Sequence, residues 1–345
     1  MLVRGRCQTG GVPERDLLVL TQEPLNAETK LDEVRGALVP AGRHYVRTHF
    51  DIPEGPRELW IDGEVRAPRG VTVEEVQMMP SRMLTVTLEC AGNGRKFLDP
   101  VVPGEQWGLG AVGTAEWTGA SLHRVVEREW LSSAVEVLFR GADGGVPKDL
   151  GRRIAYERSL PVDVARGDDI LVAYAMNGQP IPREHGGPLR LIVPGWYGMA
   201  SVKWLAEIRV LDQPFKGFFQ TDRYVIDGRP LRVLEPRAVI AWPADGAEVS
   251  SPLGLRGYAW SGRAPLDRVE VSVDGRSHRA PLATADSAHF AWREFLLRLV
   301  LDPGDHVLVP RAIDRDGNTQ PLSPRWNALG YANNAVRPIR IRVRS

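Results

Sequence analysis

Cysteine is scarce in this chain: among 345 residues only Cys7 and Cys90 are of that type. Cys7 lies in a Gly-rich N-terminus that reads as frayed, so no structural disulfide is expected. There is no CxxC pair, no HExxH and no EF-hand loop, which removes the commonest zinc and calcium signatures. Neither sign of charge dominates. With 44 Lys+Arg against 43 Asp+Glu the net charge is +1, which argues against a general nucleic-acid or membrane-surface binder and leaves room for a local basic pocket. No apolar run reaches transmembrane length. The first ten residues hold neither an apolar h-region nor a twin arginine, so no export signal is visible. These absences lead us to expect a soluble cytoplasmic protein, periplasmic if a signal has been removed, with no membrane insertion and no nucleic-acid partner.

What is present centres on Leu84 to Arg95. The first half alternates apolar and polar residues and is rich in β-branched types, the pattern of a strand. The second half, Ala91-Gly92-Asn93-Gly94, must turn sharply. Cys90 stands where one becomes the other, a good place for a metal ligand or a nucleophile and also a common place for an inert buried thiol. A hydrolase would need a nearby histidine; His49 and His185 are candidates, but no cysteine-protease signature surrounds Cys90. A metal would need further ligands. With one usable cysteine and no histidine spacing, most of them would have to come from an organic cofactor.

Around this stretch, a helical pattern is predicted from Asn26, with Asn26 as its N-cap. Tyr45 to His49 reads as an edge strand with a solvated basic face (His44, Arg47, His49). Residues 58–66 read as a hairpin about Asp62-Gly63, and Val73 to Met79 as a short helix stopped before Pro80. Trp117 to Leu122 leads into a helix with Leu122, Val125 and Val126 on one face. Val135 to Phe139 is a strand ending in a Gly-flanked Asp143, a turn-former or a ligand-reading carboxylate. Ile170 to Met176 is a strand closed by Asn177-Gly178, the strongest hairpin signal in the chain. Pro182 to Trp204 gathers His185, Arg190 and Lys203 among glycines, either an anion site or a surface loop with scattered charge. From Arg232 prolines punctuate short alternating runs at 269–273, 292–301, 306–313 and 339–343, the texture of a β-sandwich. No internal repeat stands out.

Four segments then resemble the sulfite oxidase family of molybdenum enzymes: Tyr45 to His49, Thr85 to Arg95, Ala173 to His185, and Val193-Pro-Gly with Ser201 to Trp204. The likeness runs from about Gln22 to the C-terminus. The family also includes plant assimilatory nitrate reductases and bacterial sulfite and sulfane dehydrogenases. The resemblance implies an α+β molybdopterin-binding domain (sulfite oxidase-like fold) over residues 16–230, after a disordered tail at 1–15. An immunoglobulin-like β-sandwich dimerisation domain over 231–345 would follow and form a homodimer. It implies a molybdenum–molybdopterin cofactor with Cys90 as the protein's thiolate on the metal. Tyr45, Arg47, Thr48 and His49 would line the cofactor. Asp143, His185, Arg190, Ser201 and Lys203 would anchor its pterin and phosphate. Tyr224 would stand beside the metal, and Arg47, Arg95, Trp107 and Tyr224 would face the substrate, with Cys90, Tyr224 and Arg47 catalytic. No haem is expected in this chain, so an external acceptor such as a c-type cytochrome would take the electrons.

The implied chemistry is oxygen-atom transfer to or from a small sulfur oxyanion, foremost sulfite to sulfate. Two positions depart from the family pattern. Gly94 stands where an arginine is usual, and Leu329, in Trp326-Asn-Ala-Leu-Gly330, stands where the second domain normally sends an arginine into the substrate pocket. Losing a guanidinium from a desolvated anion site costs a few kcal/mol of binding. Arg325 or Arg337 is a candidate replacement. The departures open the reading to a sulfoxide, a sulfane sulfur compound or nitrate as substrate. A cofactor-free binding protein on the same scaffold is the reading from another class.

Overall fold

The computed structural model describes residues 16–126, 132–283 and 289–344. The tail at 1–15, with Cys7, lies outside the described residues. Among the described residues, three sheets and a two-stranded ribbon, Val225–Ile226 with Arg229–Pro230, make up the first part of the chain. A small one pairs Leu18–Thr21, Asn26–Glu28 and Val46–Arg47 in that order. A second runs Gln179–Pro180, Leu171–Met176, Val112–Ser121, Ser81–Glu89, with Arg190–Ile192 also paired to Leu171–Met176. A third runs Arg69–Thr72, Glu58–Gly63, Leu205–Leu211, Glu136–Gly145, Ile154–Pro161. Helix is confined to short pieces. The longest α-helix among the described residues, Val73–Met78, is six residues with a Thr72/Glu75 capping box. The α+β architecture is therefore present with strand strongly predominant. Among the described residues no helix is long and apolar enough to cross a membrane.

The later part is a sandwich of two sheets. One orders Arg237–Trp242, Leu253–Trp260 and Arg293–Leu299; the other orders Ala247–Val249, Ile339–Val343, Gly304–Asp314, Leu266–Val273 and Arg276–Ala280. Alternate residues of both faces, such as Leu255, Val269, Val271, Phe295 and Leu308, close a separate core. This is the immunoglobulin-like module expected from the proline-punctuated runs. Its Asp274-Gly275 turn has both residues at positive φ (49° and 89°), the hand that fits a two-residue hairpin. Asn177-Gly178 makes the same turn between Met176 and Gln179.

Three expectations are corrected. Asn26 does not cap a helix: Asn26–Glu28 is a fully buried strand, and long-range pairing to Val46–Arg47 overrides local helix propensity. The hairpin of residues 58–66 does not turn at Asp62-Gly63, because both belong to a strand whose other edge pairs in parallel with Leu205–Leu211. The chain turns back after it, into Arg69–Thr72. The Val46–Arg47 strand does lie at a sheet edge, but its basic face is not solvated: His44 is 1% exposed, and His44, Arg47 and His49 all line a cavity.

The two parts are joined directly behind Cys90. Glu89 and Arg237 form a buried ion pair at 2.5 Å, their side chains 2% and 3% exposed. Glu89 also accepts from Asn93 Nδ2 (2.9 Å) and Trp260 Nε1 (2.8 Å), so both carboxylate oxygens are satisfied. Thr87 adds two bonds across the seam, donating to the Phe290 carbonyl (2.9 Å) and accepting from the Trp292 amide (2.6 Å). Removing one member of a buried pair leaves the other charge uncompensated, a loss of about 3–5 kcal/mol. Arg237→Met should therefore destabilise by about that much in denaturant unfolding, with Glu89→Gln/Arg237→Met recovering part of it. A single variant as stable as the parent would show that the pair does not hold the seam.

Candidate active site

Cys90 follows the last residue of Ser81–Glu89. Its amide donates to the Ala111 carbonyl (2.8 Å) and its carbonyl accepts from the Asn93 amide (2.9 Å), so strand register and turn together fix where the sulfur points. The turn closes at Gly94, in the left-handed region at φ +82°. A Cβ there would meet Arg237 Nη2 at 2.7 Å, so residue 94 can carry no side chain while Arg237 lies against it. Cys90 is a free thiol, 7% exposed. Burial pushes its pKa up, while the Arg47 guanidinium, the Gly92 amide and Arg95 act the other way.

Cys90 lies on the shared wall of two cavities. The inner one is lined by His44, Asp143, His185, Arg190 and Lys203, together with Tyr45, Thr48 and Ser201. Arg190 and Lys203 donate to carbonyls and lie against ring faces, while the Asp143 and Glu184 carboxylates act on Lys203 through charge. Arg190 donates to the carbonyls of His185 (2.9 Å) and Ser201 (3.4 Å) with its guanidinium 5.1 Å from the Trp117 ring. Lys203 donates to the Glu184 carbonyl (3.1 Å) and stands 4.2 Å over the Trp204 ring. Burial holds Arg190 down to about 10 and Lys203 well below its usual value, with Arg190 adding repulsion to Lys203. Burial lowers His44 to about 4 and His185 well below 6.5. Asp143, in the bulged part of Glu136–Gly145, is pushed up to about 6 by burial against the pull of Lys203, and its Oδ1 is buried without a hydrogen-bond partner. Ser201 Oγ accepts from the Val193 amide (3.1 Å), and Thr48 Oγ1 donates to the Leu25 carbonyl (2.7 Å).

The outer cavity is a cleft of about 560 Å³ that shares Arg47, His49, Cys90 and Tyr224 with the inner one and adds Arg95 and Trp107. His49 is held well below 6.5 by burial, then by Arg47 and Lys203, so its ring is neutral near pH 7. Burial raises the Tyr224 phenol, so it is protonated and donates to His49 Nε2 at 2.8 Å. Tyr224 has φ +56°, an uncommon conformation for a non-glycine residue. Arg47 places Nη1 on Asn26 Oδ1 (3.0 Å) and the Thr48 carbonyl (2.5 Å). Arg95 donates to the carbonyls of Glu105 (3.0 Å) and Leu329 (3.1 Å), and its Nε and Trp107 Nε1 are buried without partners.

Every residue named as a site candidate from sequence thus lines one cavity or the other. The candidate replacements for the missing arginine do not. Arg325 is on the surface, paired with Asp227 at 2.5 Å, and Arg337 stacks 4.2 Å over Phe97. Several residues escaped the sequence reading. Asn26 aims Arg47. His44 was assigned to a solvated face. Tyr331, from the second part of the chain, stacks on Tyr224 with ring centroids 5.1 Å apart. Arg158, 1% exposed, donates to Phe219 and Leu231 and lies 5.9 Å from the Tyr224 ring. Only His44 had a local signal, its place one residue before the motif.

Chemically, the inner chamber suits a ligand that brings negative charge to Arg190 and Lys203 and hydrogen-bond donors to Asp143. Among the described residues no group of three or more His, Cys, Asp or Glu could hold a metal. An ion at Cys90 would have to arrive with most of its ligands.

Comparison with known proteins gives that ligand a class. Residues 49–219 match the family model of the oxidoreductase molybdopterin binding domain, and residues 230–344 that of the Mo-co oxidoreductase dimerisation domain. Mitochondrial sulfite oxidase of Mus musculus is 33% identical over 95% of this chain, and sulfite oxidase of Gallus gallus 33% over 92%. The NADH nitrate reductase of Ulva prolifera is 30% identical over 97%. This chain spans 66% of the mouse protein, 76% of the chicken one and 44% of the algal one. The crystal structure of the sulfane dehydrogenase SoxCD from Paracoccus pantotrophus superposes with a TM-score of 0.80 at 26% identity, covering 97% of this chain and 92% of that one.

The buried histidines yield a pH test. A histidine whose folded pKa is depressed binds its proton more readily when unfolded, so its share of stability is lost as pH falls from 6.5 towards about 4. Asp143, raised to about 6, runs the opposite way but is common to parent and variant. The stability of ligand-free His44→Gln relative to the parent should therefore rise by about 3 kcal/mol between pH 6.5 and 4. Denaturation at a series of pH values measures it; a constant difference would show that His44 does not titrate in this window.

Proposed function

The chain belongs to the sulfite oxidase family of molybdenum enzymes, and we propose that it carries out molybdopterin-dependent oxygen-atom transfer on a small sulfur oxyanion, oxidising sulfite to sulfate. The observation that carries this reading is the position of Cys90, a lone soft ligand between a chamber whose cations Arg190 and Lys203 donate to carbonyls and an open cleft. The inner residues fit the cofactor: Asp143 Oδ1 is buried without a donor, and Arg190 and Lys203 spend their hydrogen bonds on carbonyls, which leaves their charge for an incoming anion. Cys90 would bind the metal, while Arg190, Lys203, His185, Asp143 and Ser201 would hold the pterin and its phosphate. When bound, the group supplies two-electron oxygen-atom transfer at molybdenum.

The chain's own residues supply the rest. Arg47 and Arg95 orient the oxyanion by charge-assisted hydrogen bonds. Neutral His49 keeps the Tyr224 phenol aimed at the wall shared by the cavities, where its hydroxyl can exchange a hydrogen bond with substrate oxygen. Tyr45, Thr48 and Trp107 close the walls and limit water. We infer a homodimer through the second module, which the dimerisation-domain match supports. Electrons would pass to a separate acceptor such as a c-type cytochrome. Leu329 favours a second reading in which the same cofactor acts on another sulfur compound; nitrate fits less well because it too seeks arginines.

Protein from a host that makes the cofactor should hold about one molybdenum per chain by elemental analysis. Protein without molybdenum that still binds sulfur oxyanions would support a binding protein instead. Cys90→Ser should keep the parent's far-UV spectrum and lose turnover by at least about a thousandfold; near-parental turnover would remove the thiol from the metal.

A further inference from the structure

The outer cleft is shaped for more than a bare oxyanion. At about 560 Å³ it falls in the range of about 300–1,000 Å³ that holds drug-sized ligands, and sulfite is one sulfur with three oxygens. Its far wall is apolar. Leu329 packs on the core, Tyr331 stacks on Tyr224, and Phe218, Phe219 and Pro147 face the same space.

The cationic side is sparing. Arg95 is clamped, because a Cβ on Gly92 or Gly104 would meet its guanidinium at 2.8 or 2.9 Å. Both its terminal nitrogens already serve carbonyls, and its flank lies 5.3 Å from the Tyr331 ring. Arg47 gives Nη1 to Asn26 and Thr48. At the rim Arg223 is neutralised by Asp149, and Lys148 is solvent-exposed. The substrate that matches these walls has a nucleophilic sulfur lone pair like sulfite, a single negative charge, and one apolar substituent on sulfur.

We propose that the cleft selects an organic sulfinate, which the enzyme oxidises to the sulfonate. This rests on the molybdenum-dependent sulfur oxidation proposed above. The lone pair of R–SO₂⁻ forms one new S–O bond, the oxygen coming from water. Two protons are released, two electrons leave to two equivalents of a one-electron acceptor, and no S–C bond breaks. The oxyanion faces Arg47 and Arg95, and the substituent lies along Leu329, Tyr331 and Phe219.

The test compares benzenesulfinate, methanesulfinate and sulfite on the molybdenum-loaded enzyme with ferricyanide as acceptor. Benzenesulfinate should exceed sulfite in kcat/KM by at least about tenfold, the discrimination an apolar pocket gives, with methanesulfinate between them. Leu329→Arg should reverse the order by restoring a cation and removing the wall. In calorimetry the parent holoenzyme should bind benzenesulfonate more tightly than sulfate, a measurement independent of the variant's folding. Sulfite as the preferred substrate, or tighter binding of sulfate, overturns the sulfinate assignment and leaves the sulfite reading standing. Molybdenum-loaded protein that turns over none of the three overturns both.

Discussion

The position of the Cys90 thiol depends on one buried ion pair. Glu89 precedes Cys90, and Arg237, which holds it at 2.5 Å, belongs to the first strand of the second module. Two charges this far from water are tolerable only with every remaining lone pair answered, and Asn93 and Trp260 answer those of Glu89. Asn93 Oδ1 in turn accepts from the Ala111 amide (3.2 Å), whose carbonyl receives the Cys90 amide. The sulfur is thus registered by a chain of bonds that crosses both modules. The same pair explains Gly94. An arginine there would need a side chain where Arg237 Nη2 already lies, at a left-handed φ, so packing at the seam favours the glycine.

A second constraint is electrostatic. Arg190, Lys203, His44 and His185 share one chamber with Asp143 and Glu184 on its wall, and burial depresses the pKa of each of the four cationic groups. In that state the chamber holds unspent attraction for an anion. The aromatic faces of Trp117 and Trp204 under Arg190 and Lys203 keep both groups oriented without neutralising them. Carboxylate partners there would hold the same geometry but leave nothing for a phosphate.

Much of this was legible in the chain. Asn177-Gly178 and Asp274-Gly275 dictated their hairpins through local backbone preference, and the alternation of Leu84 to Glu89 dictated the strand that carries Cys90. Asn26 misled because its neighbours have helical composition, while its place is decided by Arg47 and Thr48, twenty-odd residues away, whose hydrogen bonds its Oδ1 accepts. The basic face of His44 and Arg47 looked solvated because an alternating pattern does not tell which side of an edge strand is covered. Tyr331 and Arg158 carried no local signal at all. Their roles come from contacts across the chain to Tyr224, and only the folded arrangement brings the three together.

That leaves Leu329 as the departure with consequences for substrate. Its side chain joins the apolar wall, while its carbonyl holds Arg95, so one residue both lowers the charge of the cleft and fixes a remaining cation. Gly330 beside it can bear no side chain, since a Cβ would fall 2.8 Å from Arg95 Nε. The second module therefore still shapes the outer cleft, by backbone and by the Tyr331 ring instead of by a guanidinium. With Arg325 tied to Asp227 and Arg337 on Phe97, no neighbour in the segment supplies the lost charge, and the binding strength the cleft gives up in electrostatics can be regained only through apolar contact.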